Sequence, residues 1–281
     1  MQSDNVLKAL VFDDEAILTL IDGTAMVKEG LRLHGLEKNA AAAFAEGLLF
    51  VAFMSAGLKS EKAAVSVAMK GGKRGNISVS GNGKLAIRGY IDYAGGEFAS
   101  EAIFTGEEVL SVIRDDGYGA QPFVGTCACI KGDFDANFGE YYRMSEQLTT
   151  VFGTALRFSD SGELAFAGLA AIQLLPFSSE RTKSALASES DLKICATEIE
   201  SLGLEKVAAR RFSAKDDRIV KECAEYKCNC SREYLAGVLV TLGKKELERI
   251  IIEDGAVKVH CHYCNKDYAF YKEDVESLFS K

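Results

Sequence analysis

Apolar and polar positions follow three regimes along this chain. At the front, Leu7–Phe12 and Ala16–Ile21 read as the two strands of a hairpin broken at Asp13-Asp14. Thr24–Leu33 has helical spacing. Asn39–Leu58, rich in alanine and leucine and nearly free of β-branched residues, predicts a helix buried over much of its surface and stopped near Gly57. From Ala63 the period changes to two. Ala63–Lys70, Gly75–Ser80, Lys84–Tyr93, Val109–Asp115 and Phe123–Ile130 read as strands, parted by turns such as Gly81-Asn82-Gly83. Tyr141–Thr150 returns to a helical pattern, followed by Thr154–Ser159. Glu163–Leu175 is apolar almost throughout, as a strand buried on both faces would be, and ends at Pro176.

The second regime begins after Pro176. Ser178, Ser179, Ser184, Ser188 and Ser190 are scattered among charges. Leu192, Cys195, Ile199 and Leu202 then recur at three- and four-residue intervals. That is one narrow apolar stripe on a charged helix ending near Gly203, and such a helix needs a surface to lie on. The third regime alternates short elements. Ser231 can cap a helix through Val240 and Gly243 ends it. Lys244–Glu253 is a second helix, Ala256–Val259 and Asn265–Tyr271 are strands, and Glu273–Phe279 closes the chain. The pattern implies an α+β protein in three parts: a sheet-rich body over 1–177, a weakly held helical linker over 178–222 and a small C-terminal unit over 223–281.

Composition narrows the function. Of 281 residues, 48% are hydrophobic, enough for a real core. The net charge of -8 lacks the positive field that non-specific nucleic-acid binding needs. Met1–Leu10 carries no basic leader or cleavage motif, and the apolar run around Phe44–Ala56 is too short and interrupted to span a bilayer. The expectation is a cytosolic protein with no membrane partner. In a reducing compartment, eight cysteines point to metal or redox chemistry rather than a disulfide framework.

Four of the eight stand out. Cys228 and Cys230 form a Cys-x-Cys pair, and Cys261 and Cys264 form a Cys-x-x-Cys pair, at a helix start and a hairpin turn respectively. Two close pairs from distant parts of a chain are the usual arrangement of a four-thiolate zinc site; four buried free cysteines are the plain alternative. A unit of this size is marginal without a metal or disulfides, so zinc binding there becomes folding free energy. Zinc-bound thiolates remain oxidisable by peroxide or hypochlorite, and a sulfenic acid can be captured by its close neighbour as a disulfide.

The stretches Cys228-Asn-Cys230-Ser231-Arg232-Glu233, Leu242-Gly243 and Val259-His260-Cys261-His262-Tyr263-Cys264-Asn265 resemble the redox-regulated chaperone family called heat shock protein 33. So do Arg88-Gly89-Tyr90, Tyr142-Arg143-Met144-Ser145-Glu146-Gln147 and Gln173-Leu174-Leu175-Pro176, in the family's order over nearly the whole chain. The resemblance implies an ATP-independent holdase, not an enzyme. In the reduced state it would hold one zinc ion per chain through Cys228, Cys230, Cys261 and Cys264, and be largely inactive. Oxidation would form Cys228–Cys230 and Cys261–Cys264, release zinc, loosen the C-terminal unit and linker, and make apolar surface available to unfolding client proteins. The active form would be a homodimer.

The sequence departs from that pattern at Cys127 and Cys129, a further Cys-x-Cys whose side chains share one face of a strand. They read as two small buried residues, with a second redox or metal pair as the sharper alternative. Cys195 lies on the linker's apolar stripe, and Cys223 is near enough to the quartet to intrude in disulfide exchange. His260 and His262 flank Cys261 as bystanders, His34 has no catalytic partners, and Asp13-Asp14 and Asp115-Asp116 read as solvated turns. Gly71-Gly72-Lys73-Arg74-Gly75-Asn76 lacks the Gly-Lys-Ser/Thr ending of a phosphate loop. Two other functions compete: a zinc-ribbon nucleic-acid regulator, disfavoured because the C-terminal unit mixes Lys and Glu evenly, and a thiol oxidoreductase, disfavoured because both pairs are needed for one metal.

Overall fold

A computed structural model describes residues 4–36, 38–71, 76–92, 104–188 and 192–279, and the chain divides into two compact units, Met1–Tyr226 and Lys227–Lys281. Most of the glycine-rich stretch, residues 72–75, and Ser190 of the serine-rich stretch lie outside the described residues.

The first unit opens with β1 (Val6–Val11), β2 (Ala16–Asp22), α1 (Thr24–His34) and α2 (Lys38–Ala56). There follow β3 (Ala64–Lys70), β4 (Asn76–Asn82), β5 (Ala86–Asp92), β6 (Val109–Asp115) and β7 (Phe123–Ala128). It continues through α3 (Phe134–Tyr141), β8 (Thr150–Phe158), β9 (Leu164–Leu174), α4 (Glu180–Ser188), α5 (Leu192–Leu202) and α6 (Leu204–Phe212), and ends with β10 (Ile219–Glu222) and β11 (Glu225–Tyr226). The strands form a five-stranded sheet in the order β10-β1-β2-β9-β8 and a six-stranded sheet in the order β11-β5-β4-β3-β6-β7. The mixed α+β architecture is the expected one.

Helix α2 explains its own composition. It packs against both sheets, and Phe44, Leu48, Phe50 and Val51 are fully buried. By length and composition Asn39–Ala56 could cross a membrane, but 83% of it is buried inside the fold, as a core helix would be. β9 is likewise covered on both faces. Ala167, Leu169 and Ala171 face the core around α2, whereas Phe166, Ala170, Ile172 and Leu174 join a second core with α5 and α6. That second core answers what the apolar stripe lies on: Leu192, Cys195, Ala196 and Ile199 are buried against the five-stranded sheet.

Two local readings change. The helix expected over Tyr141–Thr150 lies earlier, because Asp133 caps α3 by accepting from the Ala136 amide at 3.0 Å. Tyr142–Glu146 is a π-helical turn stopped at Gln147 (φ 55°), and β-branched and aromatic Thr150-Val151-Phe152 begin β8 instead. The helix expected to end near Gly203 is α5, and Gly203 (φ 80°) turns it into α6; among the described residues after Pro176, α4, α6 and β10 are additional to it.

An acidic cluster sits where α5 meets the body. Lys193 reaches Asp133 at 2.8 Å and Asp135 at 3.4 Å, and Asp135 accepts from the amide and hydroxyl of Thr154 at 3.2 and 3.1 Å. Burial, then repulsion by Asp135 and Asp133, holds the carboxyl of Glu46 up at about 8. Its Oε2 has neither exposed surface nor a partner, which fits a neutral acid. A raised folded-state value means that stability is fully present below the carboxyl's unfolded value and is lost as pH rises towards 8. Glu46→Gln is expected to flatten that decline, gaining up to about 4 kcal/mol over wild type at pH 8 and little at pH 4. Denaturant titrations across that range check it, and parallel curves for the two proteins would show Glu46 ionised in the folded state.

Candidate metal centre

The second unit is built from α7 (Arg232–Val240), α8 (Lys244–Asp254), a hairpin of β12 (Val257–Cys261) and β13 (Lys266–Phe270), and α9 (Lys272–Leu278). Ser231 caps α7 by accepting from the Tyr234 amide at 3.1 Å, so the chain enters the helix from an extended residue just after Cys230. Gly255 (φ 78°) ends α8 and starts the hairpin. At the hairpin tip the Cys264 and Asn265 amides both donate to the Cys261 carbonyl, at 3.3 and 2.8 Å, and Asn265 takes φ 56°. This turn wraps backbone around the Cys261 and Cys264 sulfurs. Arg232 ties the start of α7 to the far end of the hairpin. It lies 4.4 Å over the Phe270 ring and donates to the Ala269 carbonyl at 2.8 Å and to Asp274 at 2.7 Å. The core beneath is small: Leu239, Leu247, Val257, Phe270 and Val275.

These constraints bring the four quartet sulfurs within 4.8 Å of one another. Cys228 Sγ lies 3.6 Å from Cys261 Sγ, and Cys230 Sγ lies 3.2 Å from Cys264 Sγ. Zn–S bonds of about 2.3 Å in a tetrahedron place sulfurs about 3.8 Å apart, so the donor set has the size and chemistry of a four-thiolate zinc site. The surroundings favour thiolate at Cys230. The Cys230 amide donates to Cys228 Sγ at 3.5 Å, and Tyr268 Oη lies 3.3 Å from Cys230 Sγ. Burial pushes the Cys230 thiol up, but Tyr268 and the other three sulfurs outweigh it and bring it to about 7. Burial raises Cys228 and Cys264.

The remaining candidates stand apart. Among the described residues the cluster of metal-ligand size contains the four cysteines and neither His260 nor His262. His260 Nδ1 pairs instead with Asp267 at 2.8 Å, and its ring packs edge-on to His262. Cys129 is buried in the main core, where burial first and Glu108 second push its thiol up to about 12. Burial also raises Cys127 and Cys223, and Cys195 is packed in the second core. Among the described residues no two cysteines are joined by a disulfide. Sequence reasoning gave no role to Tyr268, or to Arg232 beyond its place in the stretch that carries the resemblance. Their signal is positional: an aromatic hydroxyl opposite a cysteine pair on a hairpin, and an arginine just after a cysteine pair with an aromatic partner downstream.

Comparison with known proteins bears on the whole chain. Residues 4–271 match the family described as Hsp33 protein. Two proteins named 33 kDa chaperonin are similar over almost their full lengths. The one from Bacillus cytotoxicus is 30% identical over 98% of each chain, and the one from Bacillus mycoides 29% identical over 99% of each. The crystal structure of a 33 kDa chaperonin (heat shock protein 33 homolog) from Thermotoga maritima superposes with a TM-score of 0.80 at 24% identity, over 98% of this chain and 97% of that one, which shows a shared fold.

Proposed function

We propose that this chain, which belongs to the Hsp33 family of chaperones, is an ATP-independent holdase switched by oxidation of its cysteine quartet. The observation that carries the reading is the four sulfurs within 4.8 Å of one another in a unit with a five-residue core. In the reduced protein, Cys228, Cys230, Cys261 and Cys264 would hold one zinc ion, which supplies a cross-link between the start of α7 and the hairpin tip. Oxidation by a peroxide proceeds pair by pair. One thiolate takes an oxygen to become a sulfenic acid as the O–O bond breaks. Its neighbour displaces that oxygen to form the disulfide, and with two protons each peroxide leaves as two waters. Two peroxides thus withdraw four electrons and yield Cys228–Cys230 and Cys261–Cys264, sulfurs that no longer hold the ion.

Without its cross-link the unit over 223–281 unfolds, and the linker over 178–222 loses the order of its C-terminal neighbour. The linker is held to the body by its apolar stripe and by half-exposed ion pairs such as Lys193–Asp133 and Arg218–Asp14, which contribute little. Its departure uncovers Leu18, Leu20 and Ile172 of the five-stranded sheet. Unfolding proteins in the cytoplasm would be held on such surface, by a homodimer in the active state.

The test is a client-aggregation assay paired with metal and thiol counts. Peroxide at mildly elevated temperature is expected to remove four thiols and one zinc per chain and to bring on suppression of aggregation. Equal suppression by the reduced, zinc-loaded protein would remove the switch, and disulfides mapped between the pairs rather than within them would overturn the proposed local chemistry.

A further inference from the structure

Residues 219–226, immediately before Cys228, close an edge of both sheets. β10 pairs antiparallel with β1 in the register Val6↔Glu222 to Ala9↔Ile219, forming one edge of the five-stranded sheet. β11 pairs parallel with β5, Glu225↔Ala86 and Tyr226↔Ile87, forming one edge of the six-stranded sheet. Between them the Asn5 side chain acts as a strand in miniature. Its Nδ2 donates to the Ala224 carbonyl at 3.0 Å and its Oδ1 accepts from the Ala224 amide at 2.7 Å. The Tyr226 hydroxyl donates to the Gly89 carbonyl at 2.9 Å and accepts from the Gly89 amide at 3.3 Å.

This cover is slight. The strands are four and two residues long, Val220 is 55% exposed, and of the ion pairs that fasten β10, Lys221–Glu205 is about half-exposed and Lys8–Glu222 partly so. Beneath it the edges are substantial, since Leu7, Ala9 and Ile87 are buried. Removing the cover leaves the outward N–H and C=O groups of β1 and β5 unpaired. An extended backbone meets such a row in register, whatever its sequence, because main-chain groups make the bonds.

We infer that Ile219–Tyr226 is a removable cover, and that the opened protein holds extended segments of unfolding polypeptides as added strands on the freed edges of β1 and β5. This rests on the holdase reading for what removes the cover: both its flanks, the linker helices and the first cysteine pair, belong to the parts set loose by oxidation. Recognition through backbone groups suits a partner defined by being unfolded rather than by a sequence. On β1 the incoming strand would set alternate side chains beside Leu7 and Ala9, which favours apolar residues at every second position.

Two measurements on the full-length protein test the inference. Amide exchange is compared for the reduced, the oxidised and the oxidised client-loaded protein, with thermally unfolding citrate synthase as the client. The amides of Val6, Lys8 and Ile87, which face the cover, are expected to exchange about tenfold faster or more after oxidation and to regain protection with client, while β2 and β9 stay protected throughout. Edges that remain protected after oxidation, or remain open with client bound, overturn the proposal. So does protection that returns with rising protein concentration alone, which would make a second copy of this chain the occupant. The second measurement leaves the cysteines alone. Val220→Pro removes a backbone donor from β10 and frees the β1 edge in the reduced, zinc-loaded state. It is expected to suppress aggregation several-fold better than reduced wild type. A variant with an open edge and no client binding overturns the proposal. Suppression by the variant together with inactivity of oxidised wild type would support the edges and overturn the redox switch instead.

Discussion

Cys264→Ser, or chelation of the reduced protein, is expected to unfold Lys227–Lys281 and leave the central strands β2 and β9 of the first unit intact. The second unit has five fully packed side chains, Leu239, Leu247, Val257, Phe270 and Val275, beneath three helices and a hairpin. Cores of that size seldom supply more than about 3–5 kcal/mol, whereas zinc in small four-ligand modules contributes on the order of 10–16 kcal/mol of folding free energy. Losing one thiolate therefore outweighs the rest of the unit. Cys264 is the stringent choice because it is buried, its sulfur is 3.2 Å from Cys230 Sγ, and its amide helps to close the hairpin turn through the Cys261 carbonyl. The expected result is loss of amide protection from Arg232 to Leu278, with β2 and β9 unchanged. Cys195→Ser, at a buried site outside the cluster, should leave the second unit folded and its metal content intact. A Cys264→Ser protein whose β12–β13 hairpin kept its protection would show that packing alone holds the unit, and the switch would lose its physical basis.

The quartet was legible because its information is local. Cys-x-Cys and Cys-x-x-Cys each put two sulfurs near one point, and Ser231 and Gly255 announce the elements that carry them. The all-round apolarity of α2 likewise announced burial, although nothing in Asn39–Leu58 says that two different sheets supply it. β10 and β11 were not legible, for a reason of scale. Ile-Val-Lys-Glu and Glu-Tyr are too short to display a period, and they are strands because β1, β5, the Asn5 amide and the Gly89 backbone await them from far along the chain. The linker's stripe was readable as one face of a helix. Its bearing surface was not, since that surface is made by the absence of side chains on β8 and β9.

Gly153 shows this most sharply, and Gly153→Val is expected to give a chaperone active without oxidant. A Cβ at position 153 would fall on the Leu192 carbonyl carbon and the Lys193 nitrogen, and 2.7 Å from Leu192 Cβ. One at Gly168 would lie 2.6 Å from the Phe166 ring and 2.9 Å from the Ala196 carbonyl oxygen. The two glycines, with Ala170 and Ala196 buried beside them, let α5 rest its backbone directly on the sheet. Valine suits β8 by propensity, so the strand has no reason to yield, and overpacking of about 1–3 kcal/mol falls on the interface. The weaker partner there is α5. Its ion pairs, Lys193–Asp133 and Arg157–Glu200, are largely exposed and add little, so its hold is the burial of Leu192, Cys195, Ala196 and Ile199. Displacing the helix gives up that burial, at about 1.5–3 kcal/mol for each large side chain. The reduced variant should keep one zinc and the four quartet thiols, lose part of the amide protection over Leu192–Leu202, and suppress client aggregation measurably above reduced wild type; Gly153→Ala should do so less. A variant with α5 freely exchanging and no hold on clients would separate linker release from client binding, and the surface beneath the linker would cease to be the chaperone's working face.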